Sequence, residues 1–213
     1  MNTLTSKEKT KLLIGAIINI VIFGLEVFCL VIFVKYAVNG NTDIRFRYYT
    51  NISNLLVGFI ALPNAIFLLI SLVKSKIIYP KILSIIKYCA LCMIALTFLT
   101  VIFILVPLTS FKEMYSDLKL ITHLIAPVLA LGSYLFLEEK TLFKWKLSLL
   151  ALVPTFIYSV VYITSVVYLK TWPDLYQINK QGLWFIYSPL ENLIGFGISQ
   201  GLYFLKKITS KIK

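Results

Sequence analysis

Apolar residues fill six stretches of the chain, 12–34, 50–73, 82–106, 118–137, 147–169 and 183–205. Each approaches or exceeds the roughly 20 residues that an α-helix needs to cross a bilayer core. Polar residues collect in the short connections between them. The pattern predicts an all-α polytopic membrane protein, a single domain over residues 1–213 built as a bundle of six transmembrane helices. No internal repeat is evident. The first run lacks a small-residue cleavage site and reads as a retained span rather than a signal peptide.

Composition agrees, with 59% hydrophobic residues and a mean hydropathy of +0.88. A soluble chain of this length would expose much of that surface to water. The net charge of +12 is spread over segment ends instead of one face, which points to anionic lipid headgroups and away from nucleic acid. Thirteen Lys residues fall at the two termini and the second-to-third and fourth-to-fifth connections, against seven Lys and Arg on the other side. Both termini are therefore expected in the cytoplasm. Lys87 lies inside the third run, near enough to its cytoplasmic end to snorkel. Lysine supplies 19 of the 21 basic residues, which hints at an AT-rich bacterial genome and a bacterial plasma membrane.

Charge changes the picture by setting depth. Thr50 stands at the outer mouth of the second span. His123, the chain's one histidine, lies about 8 Å into the fourth, and Glu191 about 12 Å into the sixth. Glu26 reaches the outer half of the first span, and Asn54 is one turn below Thr50 on the same face. Polar groups on four helices thus share one outer band. Ionisable groups inside a membrane usually face a wet cavity or one another. Each also has a plainer role open to it. Thr50 can cap its helix. Asn51, Ser53 and Asn54 can bridge helices. Glu26 and Glu191 can be protonated or paired. Pro127 frees the His123 carbonyl from its helical hydrogen bond, and Pro63, Pro154 and Pro189 interrupt spans 2, 5 and 6. Gly197 and Gly201 form a GxxxG suited to packing within the chain.

The residues exclude several chemistries. One histidine with Cys29, Cys89 and Cys92 is no metal-ligand set, so no metal and no cofactor is expected. The CxxC spacing of Cys89 and Cys92 reads as one helical turn of inert thiols. No HExxH, GxSxG or Gly-rich phosphate loop is present. Glu138-Glu139 reads as a solvated helix end. What remains is a hydroxyl and an imidazole. A threonine needs a base within hydrogen-bond reach to act as a nucleophile. Thr50 and His123 are the candidate pair, with Glu191 or Glu26 to orient the ring and Asn51 or Asn54 to donate to an oxyanion. Arg45, Arg47, Tyr48, Tyr49 and Trp172 are candidates for the substrate mouth. The expected partner is a membrane lipid or lipid-like ester.

The turn Arg47-Tyr48-Tyr49-Thr50-Asn51-Ile52 resembles the aromatic-Thr turn of the androgen-induced-protein family, six-span membrane hydrolases of fatty acid esters of hydroxy fatty acids. The longer stretch Tyr48-Tyr49-Thr50-Asn51-Ile52-Ser53-Asn54-Leu55-Leu56 and His123-Leu124-Ile125-Ala126-Pro127 resemble a bacterial six-span branch related to them. The specific motifs cover about twenty residues. The resemblance implies Thr50 as nucleophile and His123 as base. The acid of the bacterial relatives is matched either by Asp174, in Thr171-Trp172-Pro173-Asp174, or by Glu191, in Ser188-Pro189-Leu190-Glu191. Two other function classes fit the same residues. One is a small transporter or proton-coupled carrier using Glu26, His123 and Glu191. The other is a non-catalytic membrane scaffold.

Overall fold

A computed structural model describes residues 4–39, 44–138 and 144–210, with side chains from Phe46 onward in the second segment. Among the described residues there is no β-strand. Six long helices follow one another: α1 (Ser6–Val38), α2 (Tyr49–Val73), α3 (Lys81–Leu108), α4 (Asp117–Leu137), α5 (Trp145–Tyr168) and α6 (Trp184–Thr209). They run over the six predicted apolar stretches and extend most of them by a few residues. The first five are long and apolar enough to cross a membrane, which makes this a helical, multi-pass membrane protein. Helix α6 carries Glu191, Asn192 and Gln200 and is not among those five.

Local chemistry sets the helix ends. Thr5 caps α1 by accepting from the Glu8 amide at 3.3 Å, and the Glu8 carboxylate accepts from the Thr5 amide at 2.9 Å. This reciprocal pair satisfies two amides that the helix cannot. The prolines do not break the spans. Pro63 and Pro189 lie inside continuous helices. Pro107 and Pro127 each follow a π turn, Val101–Leu105 and Ile121–Ile125. The wider turn absorbs a residue that has no amide to donate.

Helix α3 is the central element. Tyr88, Ala90, Leu91 and Ile94 on it are all buried, packed among residues of α1, α2, α4 and α6. Helices α1 and α2 pack along one another. Large apolar side chains such as Ile17, Phe59, Phe103, Phe156 and Leu193 point outward, as a lipid solvent requires. Cys29 and Cys92 are buried and Cys89 is half-buried, all as free thiols. The Gly197–Gly201 face does not pack within the chain: both glycines are exposed, and a Cβ at either meets nothing within 4 Å.

Two expectations about charge are overturned at the end of the bundle that carries the termini. Lys87 does not snorkel and Glu138 is not a solvated helix end. They form a buried ion pair, with both side chains 8% exposed. The Glu138 carboxylate also accepts from Ser133 Oγ at 3.0 Å and Asn64 Nδ2 at 3.4 Å. Lys87 Nζ donates to Asn19 Oδ1 at 3.2 Å, and Tyr79 donates its hydroxyl to Asn64 Oδ1. Lys206 closes the group by donating to the carbonyls of Tyr134 at 2.6 Å and Glu138 at 2.7 Å. Helices α1, α2, α3, α4 and α6 are tied together there. A lysine and a carboxylate buried together lose hydration, which their mutual attraction and extra hydrogen bonds offset. Position 139, expected as part of the same helix end, lies outside the described residues.

Candidate functional site at the far end of the bundle

The opposite end is built around the start of α2. Tyr48 is the N-cap residue, with no side-chain cap, and Thr50 is the second residue of the helix. Thr50 is thus not the cap expected from its place in the sequence. The acceptor comes from elsewhere in the chain, because the Tyr49 amide donates to the Tyr176 hydroxyl at 2.8 Å. The amides of Asn51 and Ile52 both reach the Tyr48 carbonyl, at 3.1 and 3.2 Å. Among the described residues the Thr50 amide has no such backbone acceptor. It is one of the orphan donors of a helix start, in the positive field of the helix dipole.

The polar side chains that follow tie this turn to its neighbours. Ser53 Oγ donates to the Thr50 carbonyl at 2.8 Å and meets Thr97 Oγ1 of α3 at 3.0 Å. Asn54 Nδ2 donates to the Thr50 carbonyl at 2.8 Å and to the Thr122 carbonyl of α4 at 3.0 Å. Both amide hydrogens of Asn54 are therefore directed at carbonyls, which makes Asn54 a bridge between helices. Its Oδ1 is buried and meets no donor. Asn51 is half-buried beside Thr50.

His123 follows Thr122 inside the π turn of α4 and is 9% exposed. Its Nδ1 lies 2.9 Å from the Met114 carbonyl, in the short helix Phe111–Met114 that precedes α4. A carbonyl only accepts, so Nδ1 carries the proton and the neutral ring keeps its lone pair on Nε2. The orienting group expected from Glu26 or Glu191 is here a main-chain oxygen.

Among the described residues no acid shares a hydrogen bond with Thr50 or His123. Asp174 is occupied: its carboxylate accepts from Tyr162 OH at 3.0 Å and from the amides of Ile178 and Asn179 at 3.0 and 2.9 Å. It shapes the α5–α6 connection, an Asx-type turn of the kind that aspartate favours. Glu191 is half-buried on α6, close enough to Tyr176 for its charge to act on that phenol. Burial above all holds the Tyr176 phenol up at about 12, with smaller upward contributions from Glu191 and Tyr48; the bonds its oxygen makes with Tyr49 and Tyr158 act the other way. Glu26 is 2% exposed and packs against Gly58 of α2.

The residues expected at a substrate mouth divide. Tyr49 is 5% exposed and its hydroxyl is 2.8 Å from Thr155 Oγ1, so it belongs to the core. Arg47 donates to the Thr171 carbonyl at 3.3 Å and its guanidinium lies 5.5 Å from the Trp172 ring centroid, so both clasp the α5–α6 connection. Tyr48 stands edge-on to Tyr176 with centroids 6.4 Å apart. The side chain of Arg45 lies outside the described residues. Sequence reasoning missed Tyr176, Tyr158 and the Met114 carbonyl. The first two carry a signal in the tyrosine-rich spacing of α5 and its following loop; a main-chain oxygen carries none.

Two small crevices of about 10 Å³ each lie between the helices: one between α1 and α2, the other among α1, α2, α3 and α4 with Asn19 and Lys87 on its wall. Neither is lined by Thr50 or His123. No metal-binding group of His, Cys, Asp and Glu occurs among the described residues. No protein-family model, curated protein or solved structure matches the chain.

Proposed function

We propose that the chain is a Thr/His-dependent intramembrane hydrolase of lipid esters, a distant member of the androgen-induced-protein-like superfamily. The single observation that supports this reading best is the set of three hydrogen bonds around His123 and Asn54. Asn54 ties the turn bearing Thr50 to the turn bearing His123, and Met114 holds the imidazole with Nε2 free to take a proton. The charge asymmetry supports six spans, α6 included, with both termini in the cytoplasm and the Thr50 turn near the outer leaflet of a bacterial plasma membrane.

In this reading Thr50 Oγ attacks the ester carbonyl carbon and its proton passes to His123 Nε2. The oxyanion takes hydrogen bonds from the Thr50 amide and the Asn51 side chain, with the α2 dipole behind them. Asn54 holds the turn and does not donate to the oxyanion. Collapse breaks the ester C–O bond, and the leaving alkoxide takes the proton from His123. Water, deprotonated by the same ring, then cleaves the acyl-threonine. A proton-coupled carrier using Glu26, His123 and Glu191 has less support: neither those three nor Thr50 and His123 share a hydrogen bond among the described residues, but the turns of Thr50 and His123 are joined by one side chain, Asn54.

The test is hydrolysis of a medium-chain nitrophenyl ester by protein reconstituted in liposomes. Thr50→Ala is expected to abolish turnover, and His123→Ala to lower kcat by about 10²–10⁴. Turnover unchanged in Thr50→Ala would overturn the reading.

A further inference from the structure

Glu26 is the one charged residue of α1 between Lys11 and Lys35, and it is 2% exposed against α2. Neither of its carboxylate oxygens meets a hydrogen-bond donor among the described residues. Its neighbours supply no counter-charge. Helix α2 has no ionisable side chain after Tyr49, and the stretch of α4 that packs on α1, Ala126–Leu137, has only Tyr134. Lys87 of α3 is engaged with Glu138 and with Asn19, two turns away from Glu26. On α1 itself the titratable neighbour is Cys29, one turn on and 0% exposed. An ionised carboxylate without partner or water costs more than this contact returns, so the group is held there as the neutral acid. The crevice beside it, of about 10 Å³, has no room for a solvating shell. The contact is close as well as dry. A Cβ at position 58 would collide with Glu26 Cβ, so only glycine there lets α2 approach this near.

The two halves of α1 are held in different ways. Toward the termini Asn19 pins the helix: its Nδ2 donates to Ser133 Oγ at 3.4 Å and Glu138 Oε1 at 3.5 Å, and its Oδ1 accepts from Lys87 at 3.2 Å. Toward the far end the contact at Glu26 and Gly58 has no such bonds. Gly24, exposed between the pin and Glu26, weakens the helix at that point. We propose that Glu26 is a pH-operated latch on α1. As the neutral acid it lets the far half of α1 close on Gly58; ionisation draws water to the carboxylate and swings that half off α2, while Asn19 keeps the other half in place. The seam is therefore closed in acid and opens as pH rises. Phe33, two turns beyond Glu26, stands edge-on to Phe46 with centroids 6.2 Å apart, so the swing reaches the turn that leads into α2.

Cys29 is a built-in reporter of this seam. The probe is N-ethylmaleimide, whose C=C bond the thiol adds across, applied over a pH series to the full-length protein in liposomes and read by peptide mass spectrometry. In the wild type Cys29 is expected to be protected in acid and to become alkylated as pH rises. In Glu26→Gln and Glu26→Met, which fill the space without the charge, it stays protected over the same series. The thiol's own ionisation speeds alkylation in all three, and a carboxylate beside it would slow the wild type, the opposite of the expected difference. Gly58→Ala props the seam open and exposes Cys29 at every pH. Cys92, buried on α3, stays protected in every variant and reports an intact bundle. Equal profiles in the wild type and the neutral variants, or protection of Cys29 in the wild type at every pH, overturn the latch, as does protection in Gly58→Ala. Thr50→Ala gives the wild-type profile, which separates this test from that of the hydrolase.

Discussion

The two ends of the bundle use the same kinds of residue to opposite effect. At the termini end, Lys87, Glu138, Ser133, Asn64, Asn19 and Lys206 answer one another donor for acceptor. At the far end the hydrogen bonds stop short. Among the described residues the Asn54 Oδ1 and both Glu26 oxygens are buried without partners, and the Thr50 amide has no backbone acceptor. A saturated buried network rigidifies a core, and its removal is read as lost stability. Buried polar atoms without partners call for a different explanation, such as strain, a catalytic role, or an ordered water or ion. The comparison teaches that the two ends call for different tests: the saturated network for stability, the unsatisfied atoms for function.

The comparison breaks first at Lys87. Lys87→Met strands the Glu138 carboxylate, and thermal unfolding in detergent is expected to show a loss of about 3–5 kcal/mol. A loss below about 1 kcal/mol would mean that water reaches the pair and that the termini end is not sealed. Asn54→Leu comes next. It removes the donor to the Thr122 carbonyl and is expected to cost about 1–3 kcal/mol. It also lowers ester turnover, because the two turns are no longer held together; unchanged turnover would detach the bridge from the chemistry.

The smallest effect is at the α5–α6 connection. Tyr176→Phe removes the acceptor for the Tyr49 amide and is expected to cost about 1 kcal/mol. Burial of the Tyr176 phenol, which outweighs the opposing pull of this bond, gives a pH dependence. The folded phenol sits above the usual tyrosine value of 10, at about 12. Its contribution is fully present below pH 10 and is lost as pH rises through about 12. Tyrosinate absorbance that is lost from this range in Tyr176→Phe checks the assignment.

Much of the fold was legible because lipid imposes so strict a pattern. The apolar runs place the helices to within a few residues, since a spanning backbone must satisfy itself. The least apolar run, with Glu191, Asn192 and Gln200, is also the one whose spanning rests on the charge pattern. The polar network was not legible. Lys87 and Glu138 are 51 residues apart, and charge next to a run end reads equally as snorkelling or pairing. At the far end, sequence brought Thr50, Asn54 and His123 to one depth, and Asn54 joins the turns that carry the other two. It misjudged the cap of α2, because Tyr176 arrives from a loop 127 residues away. It looked for an acid to hold His123, where the chain uses a carbonyl.

The most direct test of the central claim is the site of covalent capture by a fluorophosphonate, mapped by peptide mass spectrometry on the full-length protein. The threonine oxygen bonds to phosphorus, fluoride leaves, and His123 takes the proton. The account predicts a single adduct on Thr50 in the wild type and in Glu26→Gln. It predicts strong loss in His123→Ala and none of the adduct in Thr50→Ala, with both variants folded. An adduct on another residue, or labelling of Thr50 that is indifferent to His123→Ala, would contradict it.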